Sequence, residues 1–454
     1  MMARMTSDLS DTESYNCARS RVGVIAAVLA LASIVLVAPA FGPAARALAA
    51  VPPGPVSPHP ATGTPALPDA GPAEQIRQLT ECGGIMYAVG DFTTIMQSGV
   101  SITRHDAFSF SATAPYTVTS WAPDVSGTVN SVAFSGAGCQ DAYLGGDFSS
   151  VNGTSAKDIV EVNASTGAVD TAFGHSANGQ VQTLLVTGGH LLAGGYFRSV
   201  NGGSDRYFAS LNLTTGKDDG FLHLGISGNY GNGANTKVYN QQLSHGGGLD
   251  LVEGTFTSVG GLPRQQVFML DLSGASATVT PWTSPEFSQP CARDEAFYVR
   301  AASWSPDDSV VYLATTGFEG PDGPDTGLCD AAAAFPATQS SVSHLWVDYT
   351  GCDSLYSTAA DQNTAYFGGH ERWIDNPQGC NYPGPGAINA PGMVGLSPAN
   401  GTTVVLNPTR GRGYGADDML ITSAGLWIAS DNAFGVNTCG HVRNLAGICF
   451  LPYS

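Results

Sequence analysis

A short apolar strand running into a small-residue turn recurs seven times along this chain. The copies read Tyr87-Ala-Val-Gly-Asp-Phe92, Tyr143-Leu-Gly-Gly-Asp-Phe148, Leu192-Ala-Gly-Gly-Tyr-Phe197 and Leu251-Val-Glu-Gly-Thr-Phe256. Weaker copies follow as Tyr312-Leu-Ala-Thr-Thr-Gly-Phe318, Tyr366-Phe-Gly-Gly-His370 and Trp427-Ile-Ala-Ser-Asp431. The second small residue of each copy falls at Gly90, Gly146, Gly195, Gly254, Thr315, Gly369 and Ser430. The step is about 57 residues, which is the length of a repeated supersecondary unit. Stacked units of this kind share one continuous structure, so the repeat overrides the two or three domains that length alone suggests.

The units are built of strands. Charged residues make up 12% of the chain and Gly accounts for 57 of 454 positions, which suits a turn-rich all-β protein. No long stretch keeps an apolar helical period. Unit 2 gives the plan: strand A over Val129–Phe134, strand B over Asp141–Phe148, strand C over Asp158–Val162, then a turn at Ser165-Thr-Gly167 and a weak outer strand near Phe173. Unit 3 repeats it with 181–186, 190–197 and 208–212. Four short antiparallel strands per unit, seven times, predict an all-β, seven-bladed β-propeller. The last unit ends on strand C at 447–453, and its missing outer strand is expected from Thr64–Leu67, joining the N- and C-terminal strands in one blade.

The N-terminus reads as an export signal. Arg19 and Arg21 precede an uncharged apolar run from Val22 to Val37, followed by Ala38-Pro-Ala40 and Ala47-Leu-Ala49. As a helix that run spans about 24 Å, short of a hydrocarbon core of about 30 Å, so cleavage near Ala49 is expected rather than anchoring. The chain then divides into a signal peptide over 1–50, a Pro-rich linker over 51–74 that includes the closing strand, and the propeller over 75–454. Removing Cys17 leaves eight cysteines with no Cys-x-x-Cys pair, the pattern of disulfides in an exported protein. Repeat position selects their pairing. Cys82 and Cys139 occupy the same A–B turn in neighbouring units. Cys291 with Cys329, and Cys352 with Cys380, each lie before strand A and after strand B of one unit. Cys439 and Cys449 flank a hairpin.

The net charge of −19 repels phosphate backbones and excludes nucleic acid as a partner. Strand B of each unit leads to one rim of the propeller. It aims Asp91, Asp147, His370 and Asp431 there, and the loops before strand A add Asp294, Glu295, Asp353, Asp417 and Asp418. A ring of such carboxylates, with Asp147, Asp294 and Asp353 as ligands, is chemistry for a hard cation such as calcium. The opposing reading is that each Asp caps its own turn. No other cofactor motif is evident. His370-Glu-Arg-Trp373 with Asp375 is the densest cluster, and a long Gly- and Pro-rich loop follows it. Trp beside Arg suits sugar stacking or carboxylate pairing. With Asp417 and Asp418 these residues make a candidate binding site. Alternatively Trp373 plugs the gap between blades.

The motif Gly-Gly-Asp-Phe-x-x-Val-Asn-Gly, at Gly145–Gly153, followed by a strand ending in Thr-Gly, resembles the delta-60 repeat propellers of secreted bacterial proteins. The second half resembles one bacterial subgroup at Cys329-Asp-Ala-Ala-Ala, Trp346-Val-Asp-Tyr-Thr-Gly351, Gly368-Gly-His-Glu-Arg-Trp373 and Arg410-Gly-Arg-Gly-Tyr-Gly415. The resemblance implies a propeller outside the membrane and no particular activity. Unit 5 departs from the repeat with threonines in place of glycines. The reading is therefore a secreted, monomeric binding module for a glycan or a protein. Its rivals are a glycan-directed hydrolase or lyase using rim carboxylates, and a structural surface protein.

Overall fold

Strong central strands dictate the architecture. In Ile85–Asp91 every residue from Met86 to Gly90 is buried, and in Gly425–Ala429 all five are. Such strands must be covered on both faces, so each sheet needs a neighbour on either side. The structure, a computed structural model, describes residues 55–454 apart from 70, 137, 230–234, 292–296, 318–326, 339, 406–410, 434–438 and 440–444. All of them fall in the unit Ala49–Ser454. Residues 1–50, read from the sequence as an export signal, lie outside the described residues. Among the described residues no helix is long and apolar enough to cross a membrane.

The main sheets are antiparallel and follow one another along the chain. Sheet 1 holds Gln75–Cys82, Ile85–Asp91 and Ala107–Ser111. Sheet 2 holds Val125–Ser135, Asp141–Val151 and Ile159–Asn163, with the short Thr154–Ser155 folded back on its second strand. Sheet 3 holds Val181–Thr187, His190–Gly195 and Phe208–Asn212. Sheet 4 holds Val238–Leu243, Leu249–Gly254, Val267–Asp271 and Thr278–Val279. Sheet 5 holds Val299–Trp304, Val310–Thr315, Ala331–Pro336 and Trp346–Tyr349. Sheet 6 holds Leu355–Ala360, Ala365–Gly369, Val394–Leu396 and Thr403–Val405. Sheet 7 holds Asp418–Thr422, Gly425–Ala429 and Ile448–Pro452.

The fourth strand corrects the sequence reading. It is complete in sheets 4, 5 and 6 only. In sheets 1, 2 and 3 it shrinks to single bridges, Phe110–Val118, Val162–Val169 and Leu211–Asp218. The Thr-Gly turns explain the loss in sheets 2 and 3. Asn163 and Asn212 each accept hydrogen bonds from the two backbone N–H groups that follow in the turn, which curls the chain before a ladder extends. Phe173 is not in a strand. It is buried between sheets 2 and 3.

Each apolar core lies between one sheet and the next. Tyr87 and Val89 of sheet 1 pack on Val132 and Leu144 of sheet 2, and the pattern continues sheet by sheet to Tyr366 of sheet 6 against Leu426 of sheet 7. A further core joins Trp427 and Phe450 of sheet 7 to Met86 and Phe110 of sheet 1. Tryptophans at the outer edges fix the spacing. The indole N–H groups of Trp121, Trp282 and Trp346 donate to the carbonyls of Asn163, Pro336 and Pro398, the first two at the end of the third strand of the following sheet and Pro398 two residues beyond it. The N-terminal segment runs beside the last strand, with Ser57, Ala61 and Leu67 donating to Pro452, Phe450 and Ala446. Its prolines keep it irregular, so it forms isolated bridges rather than the regular strand expected near Thr64–Leu67. Disulfides join Cys82–Cys139, Cys291–Cys329, Cys352–Cys380 and Cys439–Cys449, the pairing that repeat position selects.

Candidate binding site at the central cavity and its rim

The repeated glycine has a mechanical reason. In sheets 1 to 6 the first strand skips one residue in register, between Ile76 and Gln78, Val129 and Ser131, Val181 and Thr183, Val238 and Asn240, Val299 and Ala301, and Leu355 and Ser357. The partners opposite each bulge are Gly90, Gly146, Gly195, Gly254, Thr315 and Gly369. A Cβ on any of these five glycines would collide with a backbone carbonyl just before the bulge. In sheet 5 Thr315 takes the position, its hydroxyl bonded to Ala331, and the bulge persists.

A bulge leaves its extra residue unpaired and re-aims it. Those residues are Arg77, Asn130, Gln182, Tyr239, Arg300 and Tyr356, and all six line one cavity of about 190 Å³ together with Asp417 of the segment before sheet 7. First strands of all the main sheets contribute to the lining. Polar bonds stitch neighbouring first strands around it. Leu79 N–H donates to Asp418 Oδ2 at 2.8 Å, Val132 N–H to Gln78 Oε1 at 2.6 Å, and Leu184 N–H to Ser131 Oγ at 3.0 Å. Trp304 Nε1 donates to Gln242 O at 2.8 Å, and Ser357 Oγ to Ala416 O at 2.8 Å.

At the rim beside sheets 6 and 7 the chain builds a charged hub. Asp353 is 1% exposed and accepts from two arginines. Arg372 binds it twice, Nε to Oδ2 at 2.7 Å and Nη2 to Oδ1 at 3.0 Å, and Arg412 Nη2 reaches Oδ1 at 2.7 Å. Arg412 also donates through Nε to the His370 carbonyl. The Arg372 guanidinium lies 4.6 Å from the Trp373 ring centre. Trp373 is half-buried, on the short strand Trp373–Ile374. Tyr382 follows Asn381, whose Oδ1 accepts from Arg372, and Tyr414 lies two residues after Arg412; the two tyrosines are 53% and 49% exposed. His370 links hub and cavity, because its Nδ1 lies 2.6 Å from the hydroxyl of the bulge residue Tyr356. Ser354 N–H points at His370 Nε2, which places the ring proton on Nδ1 as donor to that hydroxyl. Burial, reinforced by Arg412, lowers the His370 pKa, so the ring is neutral.

The structure thus brings together His370, Arg372, Trp373 and Asp353, and sets the other candidates elsewhere. Asp375, at φ 53°, donates its N–H to Asp348 Oδ1, and burial raises both carboxyls, that of Asp348 to about 7. Asp418 is spent on Leu79, and burial raises it to about 6. Asp417 faces the cavity. Asp147 is exposed in the middle of sheet 2's second strand. Asp294 and Glu295 lie outside the described residues. Asp431 caps a turn, accepting from Tyr414, Gly415 and Ala433 N–H. Among the described residues no three His, Cys, Asp or Glu converge as a metal site, and the Asp353 oxygens are held by guanidinium groups. Sequence reasoning missed Arg412, Tyr382, Tyr414 and the bulge residues. The bulge residues carry a usable signal: each follows the apolar residue that opens strand A.

Asp353→Ala should destabilise the protein by about 3 kcal/mol, because it leaves two guanidinium groups facing each other without their carboxylate. The partial exposure of both arginines keeps the cost below that of a sealed pair. Urea unfolding measures it; a loss under about 1 kcal/mol would make the hub a surface pair.

Antiparallel sheets packed face on face, with their first strands lining one cavity, are the architecture of a β-propeller. Among solved structures, the chain is similar to the WD40 β-propeller domain of Doa1 at 11% identity and TM-score 0.38, over 81% of this chain and 93% of that one. It is similar to the computationally designed Ika8 protein at 8% identity and TM-score 0.44, over 87% and 99%. It is also similar to BamB from Moraxella catarrhalis at 11% identity and TM-score 0.41, over 79% and 96%. No family model and no curated protein matches the chain.

Proposed function

We propose that this is a secreted, seven-bladed propeller of the delta-60 repeat type that binds an acidic glycan at the rim around Asp353. Seven bladed sheets closing on themselves are supported by the core between sheets 7 and 1 and by the Leu79–Asp418 bond. The N-terminal segment hydrogen-bonded along the last strand acts as the closing piece. Secretion is supported by the apolar run after Arg21 and by the disulfides.

One observation carries the ligand class. Two guanidinium groups share one buried carboxylate beside the face of Trp373. Aromatic faces next to forked donors stack on sugar rings and pair with a sugar carboxylate. The hydrolase reading gains nothing here. Asp353 is occupied and Asp375 is paired with Asp348, so the hub presents no open pair of carboxylates among the described residues. A glycan array should show preference for uronic- or sialic-acid-bearing glycans. Trp373→Ala should abolish that binding with a change in melting temperature of only a few degrees, because a half-buried ring carries little of the core. A stability loss of about 3–5 kcal/mol instead would mark Trp373 as an inter-blade plug.

A further inference from the structure

The central cavity gathers three cations that make no direct ion pair among the described residues, although the Arg300 charge acts on the carboxyls of Glu253 and Asp418. Acids outnumber bases 37 to 18 in this chain, so unpaired cations around one cavity need a reason. Arg77 and Arg300 line it as bulge residues of sheets 1 and 5. Lys237, just before the first strand of sheet 4, holds its Nζ 4.0 Å above the Tyr239 ring centre, and the Arg300 guanidinium lies 5.4 Å from the same centre. Tyr239 stacks on Tyr298 at 4.1 Å and 4°. The two phenols therefore hold two cations near one ring, against their mutual repulsion.

Among the described residues no carboxylate comes within ion-pair distance of any of these three cations. Every ion pair involves His105, His190, His245, His344, His370, Arg372 or Arg412. The Arg77 Nε is buried without a hydrogen-bond partner. The acidic residues of the lining are Asp417 and Asp418, both on the sheet 7 side, and Asp418 is committed to Leu79 N–H. Gln182 and Asn240 add carboxamides, and Tyr356 adds a hydroxyl. The cavity has room for about a dozen water molecules, which is the size of a small organic acid rather than of a chain.

We propose that this cavity is an oxyanion site, in which a small carboxylate or phosphate compound sits between Arg77 and Arg300 with Lys237 and Tyr239 at its edge. A guanidinium presents a planar fork of donors matched to either group, and two such forks from opposing sheets confine the anion without backbone movement. Occupation also offsets the repulsion between Lys237 and Arg300; burial first, and then the Arg300 charge, push the Lys237 amine down to about 8. The site shares no cation with the rim hub, so it stands or falls independently of glycan binding.

The test is calorimetric titration of the disulfide-bonded protein with citrate and, separately, with inorganic phosphate, at low ionic strength. Saturable binding of citrate alone assigns a carboxylate ligand, of phosphate alone a phosphate ligand, and of both a general oxyanion site; each supports the proposal. Arg300→Gln and Arg77→Gln should each weaken binding at least tenfold, and Trp373→Ala should leave it unchanged. The Lys237 amine, followed by nitrogen-detected NMR, should titrate at higher pH with the anion bound. If either arginine variant misfolds, Lys237→Gln supplies the same comparison from outside the strands. No saturable binding of either anion up to on the order of 10 mM, or binding unaffected by all three substitutions, overturns the proposal.

Discussion

Reduction of the four disulfides should unfold this protein at 37 °C. The bridges close loops of 57, 38, 28 and 10 residues. Loop-closure entropy assigns each a stabilisation of about 3 kcal/mol for the shortest to about 4 kcal/mol for the longest. Their combined loss is on the order of 10 kcal/mol, comparable with the whole net stability of a typical domain. Placement makes the effect structural as well as entropic. Cys82–Cys139 ties sheet 1 to the turn of sheet 2, and Cys352–Cys380 ties the segment before sheet 6 to the loop that follows Trp373. Cys439–Cys449 anchors the chain leading into the strand along which the N-terminal segment runs. Calorimetry with and without reductant should show the transition falling by tens of degrees. A shift of only a few degrees would mean that the sheet-to-sheet cores suffice alone.

What the sequence made legible was what repetition enforces. Glycine is required in five of the copies because the bulge brings a carbonyl onto the place of its side chain, so the fold writes it in sheets 1 to 4 and in sheet 6. The Cys82–Cys139 disulfide was legible for the same reason, because equivalent positions in neighbouring units are neighbours in space, and the pairs of sheets 5 and 6 because they occupy the same two places within their units. The outer strands were less so, since a single bridge such as Val162–Val169 leaves no pattern of alternation. The rim cluster at 370–373 stood out by composition. Its partner Arg412 did not, because it reaches Asp353 from 59 positions further on, and nothing in the motif that holds it points to that contact. The bulge residues vary freely between Arg, Asn, Gln and Tyr, since the cavity constrains where they point and not what they are. Hidden furthest were Asp250 and Glu253, both fully buried within sheet 4. Glu253 stands where sheets 2, 3 and 6 have Gly145, Gly194 and Gly368, positions at which a Cβ would run into the following sheet. Sheet 5 makes room for it with Ala302 where sheet 3 carries Leu184.

These carboxyls make the protein more stable in mild acid than at slightly alkaline pH. Burial is the leading cause in every case. It raises Asp106, Glu161 and Asp348 to about 7, Asp158 and Asp418 to about 6, and Asp250 and Glu253 well above the usual range. A carboxyl whose folded pKa exceeds its unfolded one binds more protons in the native state. Its stabilisation is complete below the unfolded value near 4 and is lost as pH rises through 6 to 7 and beyond. Each unit of such a shift corresponds to about 1.4 kcal/mol once the pH stands above the folded value. His370 and Lys237 oppose the trend, because a cationic group with a lowered pKa removes stability as pH falls, His370 below about 6.5 and Lys237 down through about 8, but the seven raised carboxyls outnumber them. The melting temperature should therefore climb as pH falls from 8 to 5. The net charge of −19 produces part of the same slope through general repulsion, so a single substitution separates the causes. Glu253→Gln keeps the shape and removes the ionisation. It should raise the melting temperature at pH 8, change it little at pH 5, and leave a shallower slope between. Equal slopes in the two proteins would mean that Glu253 is ionised in the folded protein across this range as it is in the unfolded chain, and a melting temperature that climbs towards pH 8 would show that carboxylates held in their charged form dominate instead.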